Sequence, residues 1–278
     1  VAYVDKKNWK EAEQVFKKNI KTYNNHLKIN GIKIFLDGSP QAKTAWLRAP
    51  YQGDNDYYGY GTMTDKEVED SIKMAYDKKI QILAHCNGDR AAQQYIEAVE
   101  KVVNKPEIIR PVLIHGQLIG IDQLKKIKSL GIIPSYFIAH VYYWGDIHLQ
   151  NFGEERAEKI SPARSTKNQD ILFTLHQDSP VIEPNMLETI WCAVNRVTKK
   201  GTILGKNERI EVIDAIKAVT INAAYQYFEE NEKGSIKEGK YADLVILNQN
   251  PLLVEKEKIK NIQVLETIKN GKTIFKKE

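Results

Sequence analysis

Cysteine is scarce: 278 residues contain Cys86 and Cys192 alone, far apart in the chain. A disulfide-stapled secreted scaffold would carry more, so a reducing compartment, the cytoplasm, is expected. No apolar run approaches the ~18 residues of a membrane span, so no membrane partner is expected. The net charge of +5 comes from lysines scattered over helix-like faces and the tail (LKKIK, EKEKIKN, FKKE). None of these runs interleaves with aromatics as in a single-strand binder, so they read as solvated surface and no nucleic-acid partner is expected. The Gly-rich phosphate turn of a nucleotide-binding fold is missing. Internal repeats and low-complexity tracts are missing too. The chain opens VAYVDKK, without an initiator Met, and reads as a portion of something longer.

What is present is ordinary globular composition, 42% hydrophobic and 28% charged, enough for one large domain or one and a half. Short β-branched runs alternate with helix-like stretches. Strands are predicted at 31–37, 80–85, 111–115, 132–138 and 171–176. Helices are predicted at 8–25, 64–79, 89–103, 121–129, 185–198 and 208–228. Thr64 followed by Glu67 has the form of a capping box. The segments 50–61 and 139–169 read as loops. This alternation means a parallel sheet with crossover helices, an α/β fold. Five strands fall short of the eight of a closed barrel and also suit an open doubly wound sheet. From Gly234 the texture changes to strand–turn–strand, with turn signals at Glu238-Gly239 and Asn270-Gly271. The expected division is a barrel portion over 1–230 and a small β-sandwich portion over 231–278.

Three segments carry the chemistry: ILAHCNGDRA, PVLIHGQ and ILFTLHQDSPV. Each ends an apolar run in His85, in His115, or in His176 with Asp178. Carboxyl ends of parallel strands approach one another, so these groups can converge as a hydrolytic metal requires, with a position left open for water. Asp178 can serve as ligand or general base, or simply form an Asx turn. Lys33 sits inside an apolar strand, GIKIFLD. It is either an outward lysine snorkelling past a helix, or a buried amine of lowered pKa able to take up carbon dioxide as a carbamate. His140, beside Tyr142, Tyr143 and Trp144, reads as a pocket wall or as aromatic core. Asp89 and Arg90 either orient His85 or open a helix. Arg164 and Arg48 are candidate contacts for a substrate oxygen. His148 and His176 stay unassigned, and His26 reads as surface.

Together these residues resemble the amidohydrolase superfamily, in its family-3 branch with N-substituted formamide deformylases and exoenzyme regulatory proteins. GIKIFLDGSPQAKTA resembles that branch's fourth-strand motif, which implies Lys33 as a carboxylated metal-bridging lysine. AHCNGDRA and LIHGQ resemble the fifth- and sixth-strand histidine motifs and imply His85 and His115 as ligands. LHQDSPV resembles the eighth-strand motif and implies Asp178 as ligand and catalytic base. AHVYYWGDIH and SPARS resemble the substrate-loop segment and imply His140, Tyr143, Trp144 and Arg164 as substrate-binding. The resemblance implies a partial (β/α)8 barrel of about the last five units. It also implies a divalent metal, zinc above all, and hydrolysis of carbon–nitrogen bonds other than peptide bonds in a small amide. One departure matters: the His-x-His pair that ends the family's first strand has no counterpart here. The implied reading is a C-terminal portion, inactive alone, whose open barrel edges call for self-association. The alternative is a non-catalytic or regulatory relative.

Overall fold

The computed structural model describes residues 1–278. Six parallel strands form one sheet: β1 (Ala2–Asp5), β2 (Ile29–Phe35), β3 (Gln81–Cys86), β4 (Val112–His115), β5 (Ile133–Tyr136) and β6 (Thr174–Leu175). Each strand pairs with its neighbours in sequence, so the sheet grows in one direction from β1 to β6. The crossovers carry α1 (Trp9–Val15), α2 (Asp65–Lys78), α3 (Asp89–Val102), α4 (Leu124–Ser129), α5 (His140–Ala157) and α6 (Ala163–Asn168). After β6 come α7 (Met186–Asn195), α8 (Val212–Val219) and α9 (Ile221–Gln226). A separate antiparallel sheet follows, of β7 (Leu244–Leu247), β8 (Val264–Lys269) and β9 (Lys272–Lys276). No helix is long and apolar enough to cross a membrane.

Strand alternation sorts the side chains of the large sheet. Ile32, Ile34, Ile82, Ala84, Cys86 and Leu113 point into the main core beneath the helices. Each isoleucine or leucine so buried contributes about 1.5–3 kcal/mol. Leu83, Val112, Ile114 and Ile133 pack together on the opposite face. Lys33 is level with Leu83 in the β2–β3 register, and Phe35 is level with His85. Lys33 therefore lies on the face opposite the helices, which decides against the snorkelling alternative.

The amino ends of the strands are sealed by a polar network. Gln81 Nε2 donates to Arg110 O (2.9 Å) and Gln226 O (2.8 Å), and its oxygen accepts from Tyr3 and Asn30. Arg110 stacks 3.7 Å from the Tyr225 ring and forks onto Glu230. Buried Lys28 pairs with Glu229. With that end closed, the carboxyl ends are left for chemistry.

Several boundaries differ from expectation, each for a physical reason. VAYVD forms β1, a sixth strand, because it is an edge strand whose apolar pattern is too short to show periodicity. The expected helix over 8–25 shrinks to α1, flanked by 3-10 turns, and the chain takes positive φ at Lys21, Asn25 and His26. The expected loop over 139–169 is instead α5 and α6, with a non-helical Gly153 (φ 72°) inside α5. Its aromatic, polar composition hides the amphipathic stripe that marks a surface helix. The expected helix over 208–228 breaks at Thr220 (φ −124°, ψ −94°). By contrast, the Thr64–Glu67 capping box forms in both directions, and Asn270 and Gly271 make the tight turn between β8 and β9 with φ of 48° and 75°. Both cysteines are buried and unpaired.

Candidate metal centre

Lateral register brings the strand ends together: Phe35 beside His85, Cys86 beside His115, His115 beside Tyr136, Tyr136 beside Leu175. His115 leaves β4 at φ 75°, a left-handed conformation that costs a non-glycine residue about 1–3 kcal/mol. By alternation His115 would follow Leu113 into the helix-side core; the reversed φ takes its ring to the other histidines instead. Its centroid lies 4.4 Å from that of His85 and 5.0 Å from that of His176. Asp178 also sits at positive φ, 58°. Ligand atoms of His115, His176 and Asp178 all lie within 4.8 Å of one another.

Each ring is held on one side. Ser135 Oγ lies 2.9 Å from His176 Nδ1, and His176 Nε2 lies 3.3 Å from His115 Nδ1. His85 Nε2 is 3.0 Å from Asn87 Nδ2 and 3.4 Å from Gly38 O, with Asp37 Oδ1 at 3.7 Å. Lys33 Nζ lies 5.0 Å from the centre of the Phe35 ring.

Burial governs the protonation states. It pushes His85 down to about 4 and His176 to about 3, with the Lys33 charge adding to both. His115 falls well below the usual histidine range through burial first and its histidine neighbours second. Burial lowers Lys33, and the nearby Asp178 carboxylate opposes that shift. Burial raises Asp178, and Lys33 opposes it in turn. At neutral pH the three imidazoles therefore carry no charge and offer lone pairs beside a half-buried carboxylate. Ligands for a divalent ion must be deprotonated in this way, so the donor set fits one.

Of the residues picked from sequence, His115 comes together with Asp178, His85 lies against His115, and the Lys33 charge acts on Asp178. His140 is buried beside the cluster, its ring 4.6 Å from Trp144 and 4.8 Å from Phe137. Tyr143 is turned to Glu188 (2.8 Å). Arg164 does not join the cluster: its guanidinium donates to Arg209 O (2.6 Å) and pairs with Glu211 (3.2 Å). Arg48 bridges Asp89 and Asp122 at the surface, and His26 is exposed.

Two residues went unassigned in the sequence. His176 had a usable signal, because positions i and i+2 of an extended segment share a face and the segment reads His-Gln-Asp. Asp37 ends β2's apolar run as His85 and His115 end theirs. It is fully buried and accepts from three backbone amides, of Asn87 (2.9 Å), Gly88 (2.7 Å) and Trp46 (3.0 Å). Burial still drives its carboxyl up to about 7. The clamp needs Gly88, where a Cβ would meet Trp46 O at 1.9 Å. An Asp37→Asn carboxamide turns an N–H group toward donors and orphans at least one amide, at about 1–3 kcal/mol each. The expected result is a lower urea midpoint at unchanged m-value; an unmoved midpoint would show that the amides find other acceptors.

A parallel sheet with crossover helices and histidines with a carboxylate at its carboxyl ends defines a barrel-type α/β protein with a metal-type site. The chain belongs to the amidohydrolase family, whose sequence profile matches residues 5–275. It is 26% identical over 259 residues to the putative amidohydrolase YtcJ of Bacillus subtilis, covering 91% of this chain and 48% of that protein. It is 26% identical over 250 residues to the N-substituted formamide deformylase of Arthrobacter pascens, covering 88% and 45%. An uncharacterized metal-dependent hydrolase from Pyrococcus horikoshii superposes with a TM-score of 0.80 at 25% identity, covering 92% and 51%. The chain thus spans about half the length of the curated relatives it matches.

Proposed function

We propose that this chain is the C-terminal portion of a metal-dependent amidohydrolase that cleaves carbon–nitrogen bonds, other than peptide bonds, in small amide or N-acyl substrates. The observation that carries this reading is the convergence of uncharged His115 and His176 with Asp178, and of His85 beside His115, at the carboxyl ends of strands of one parallel sheet. In this reading residues 1–230 form part of a (β/α)8 barrel and 231–278 part of a β-sandwich. Sheet edges β1 and β6 each pair on one side only, which supports self-association of the isolated chain. The cytoplasm remains the proposed location.

Lys33, His85, His115 and Asp178 would hold the ion, with His176 in reach. Imidazole and carboxylate donors favour zinc. When bound, such an ion supplies Lewis acidity to a substrate carbonyl and to water. Asp178 accepts a proton from the attacking water as its oxygen bonds to the carbonyl carbon. It returns that proton to the leaving nitrogen as the C–N bond breaks. Burial strengthens Asp178 as a base by raising its pKa toward the working range. The Lys33 amine, made less basic by burial, adds carbon dioxide with loss of a proton and becomes a carbamate, a further oxygen donor. His140 and Trp144 grip the substrate.

The test, on the longer protein of which this chain would be the C-terminal portion, is hydrolysis of a panel of N-formyl, N-acyl and cyclic amides, with an aryl ester as comparison. Amine release should stop on chelation and in Asp178→Asn. Chelator-insensitive turnover, or turnover of the ester alone, would overturn the reading. Because this chain contains no His-x-His pair it is expected to be inactive alone, and ion binding without any turnover by the longer protein would favour a non-catalytic amidohydrolase-like protein.

A further inference from the structure

His140 and His148 lie two turns apart on α5, and the Nδ1 of His140 is 3.1 Å from the Nε2 of His148. The rings are nearly parallel and meet edge to edge, with centroids 5.3 Å apart and an interplanar angle of 18°. His148 is sealed between this contact and Phe152, 5.6 Å away, with 1% of its surface exposed. Its other nitrogen, Nδ1, is buried and has no hydrogen-bond partner. The Nε2 of His140 also makes no hydrogen bond within the protein, but it is not sealed in. It is the unpaired edge of a ring packed on Phe137 and Trp144, and Phe137 in turn packs on His115 and His176.

We propose that His148 acts as a positioning residue. It donates its Nε2–H to His140 Nδ1 and so fixes His140 in the tautomer that presents Nε2–H, a hydrogen-bond donor, to a substrate oxygen. The role assigned to His140 rests on the hydrolase reading above; the tautomer does not.

Two arrangements of the shared proton exist. If His140 Nδ1–H donated, His148 would carry its proton on Nδ1, leaving a buried N–H with no acceptor. If His148 Nε2–H donates, only a lone pair goes unmet. Orphaned buried N–H groups are the rarer defect in folded proteins, and an unpaired donor costs about 1–3 kcal/mol. Both rings are uncharged, because burial holds His148 down to about 3 and His140 well below the usual range. The second arrangement also complements the cluster chemically. His85, His115, His176 and Asp178 are acceptors at neutral pH, whereas a carbonyl oxygen needs a donor.

The experiment is a long-range 1H–15N correlation spectrum of the metal-free chain labelled with 15N-histidine, with rings assigned from His140→Gln and His148→Gln. The expected spectrum has both rings protonated at Nε2. His148→Gln, whose carboxamide can still donate, should keep His140 in that tautomer, and His148→Leu should release it to a mixture. A wild-type His140 protonated at Nδ1 would overturn the proposal, as would a tautomer that His148→Leu leaves unchanged. If His148→Leu fails to fold, the wild-type spectrum still decides. No substrate or ion is used, so failure of the hydrolysis test together with the expected tautomers would count against the hydrolase reading and leave this inference standing. In an active chain, His148→Leu should lower kcat/KM by about ten-fold, and His148→Gln should restore most of it.

Discussion

His115→Ala is expected to abolish stoichiometric binding of a divalent ion, while His26→Ala leaves it intact. Both substitutions delete one imidazole, so composition is matched. They differ in place: His26 is exposed on a turn, whereas His115 sits between His85 and His176 with ring centroids 4.4 and 5.0 Å away. Loss of an outer partner of a metal ligand already costs about 10–100-fold in affinity, so loss of the central ring should exceed about 100-fold. Metal content by mass spectrometry after dialysis against zinc gives the first readout. A thermal shift gives the second, because an ion present at 100 times its Kd stabilises the folded chain by about 2.7 kcal/mol. The zinc-induced shift should vanish in His115→Ala and persist in His26→Ala. Equal zinc retention by the two variants would mean that the histidine cluster is a structural packing feature.

Much of this site was legible because it follows from two local rules. Apolar runs ending in His85 and His115 identify strand ends, and parallel strand ends meet. Lys33 could be singled out by its place in an apolar strand, but its direction could not. Its face depends on register with β3, which only pairing fixes. His115 shows the limit of the rule from the other side. Parity would send its ring into the helix core, and the reversed backbone at φ 75° is a tertiary compromise with no mark in the sequence. Asp37 was hidden for a related reason. A carboxylate at a strand end looks like a turn residue, and the amides that claim it come from Trp46, Asn87 and Gly88, which are distant in sequence. The same holds for Arg196. It falls inside the helix expected over 185–198, where nothing singles it out, yet it is fully buried and donates to the carbonyls of Ile160, Ser161 and Leu204. The stretch over 139–169 reads as loop because its mixed aromatic and polar residues show no clear apolar stripe, although Tyr142, Tyr143 and Trp144 pack against the main core.

Acid should unfold the metal-free chain within a narrow window, its stability falling steeply from about pH 6 toward pH 4. Folding depresses the pKa of five histidines through burial: His148 and His176 to about 3, His85 to about 4, and His115 and His140 well below their usual range. In the unfolded chain each titrates near ~6.5. As pH drops below that value, the unfolded state takes up protons that the folded state refuses. Each such histidine then favours unfolding by about 1.4 kcal/mol per pH unit, so its contribution is fully present above ~6.5 and is lost on acidification. Asp37 works in the opposite sense. Its folded pKa of about 7 lies above the unfolded value, so it is protonated first in the folded state and offsets one histidine. Asp178, also raised, offsets part of another. The balance leaves a slope of about 4–5 kcal/mol per pH unit, which exhausts a typical total stability of about 5–15 kcal/mol within a few units. Urea midpoints measured from pH 7.5 to 4.5 test this directly. His148→Gln removes one of these protons without touching the cluster itself, and should flatten the slope by about 1.4 kcal/mol per pH unit. Stability that stays level down to pH 4.5 would mean that the imidazoles titrate normally, and would remove the reason for regarding them as uncharged donors ready for an ion.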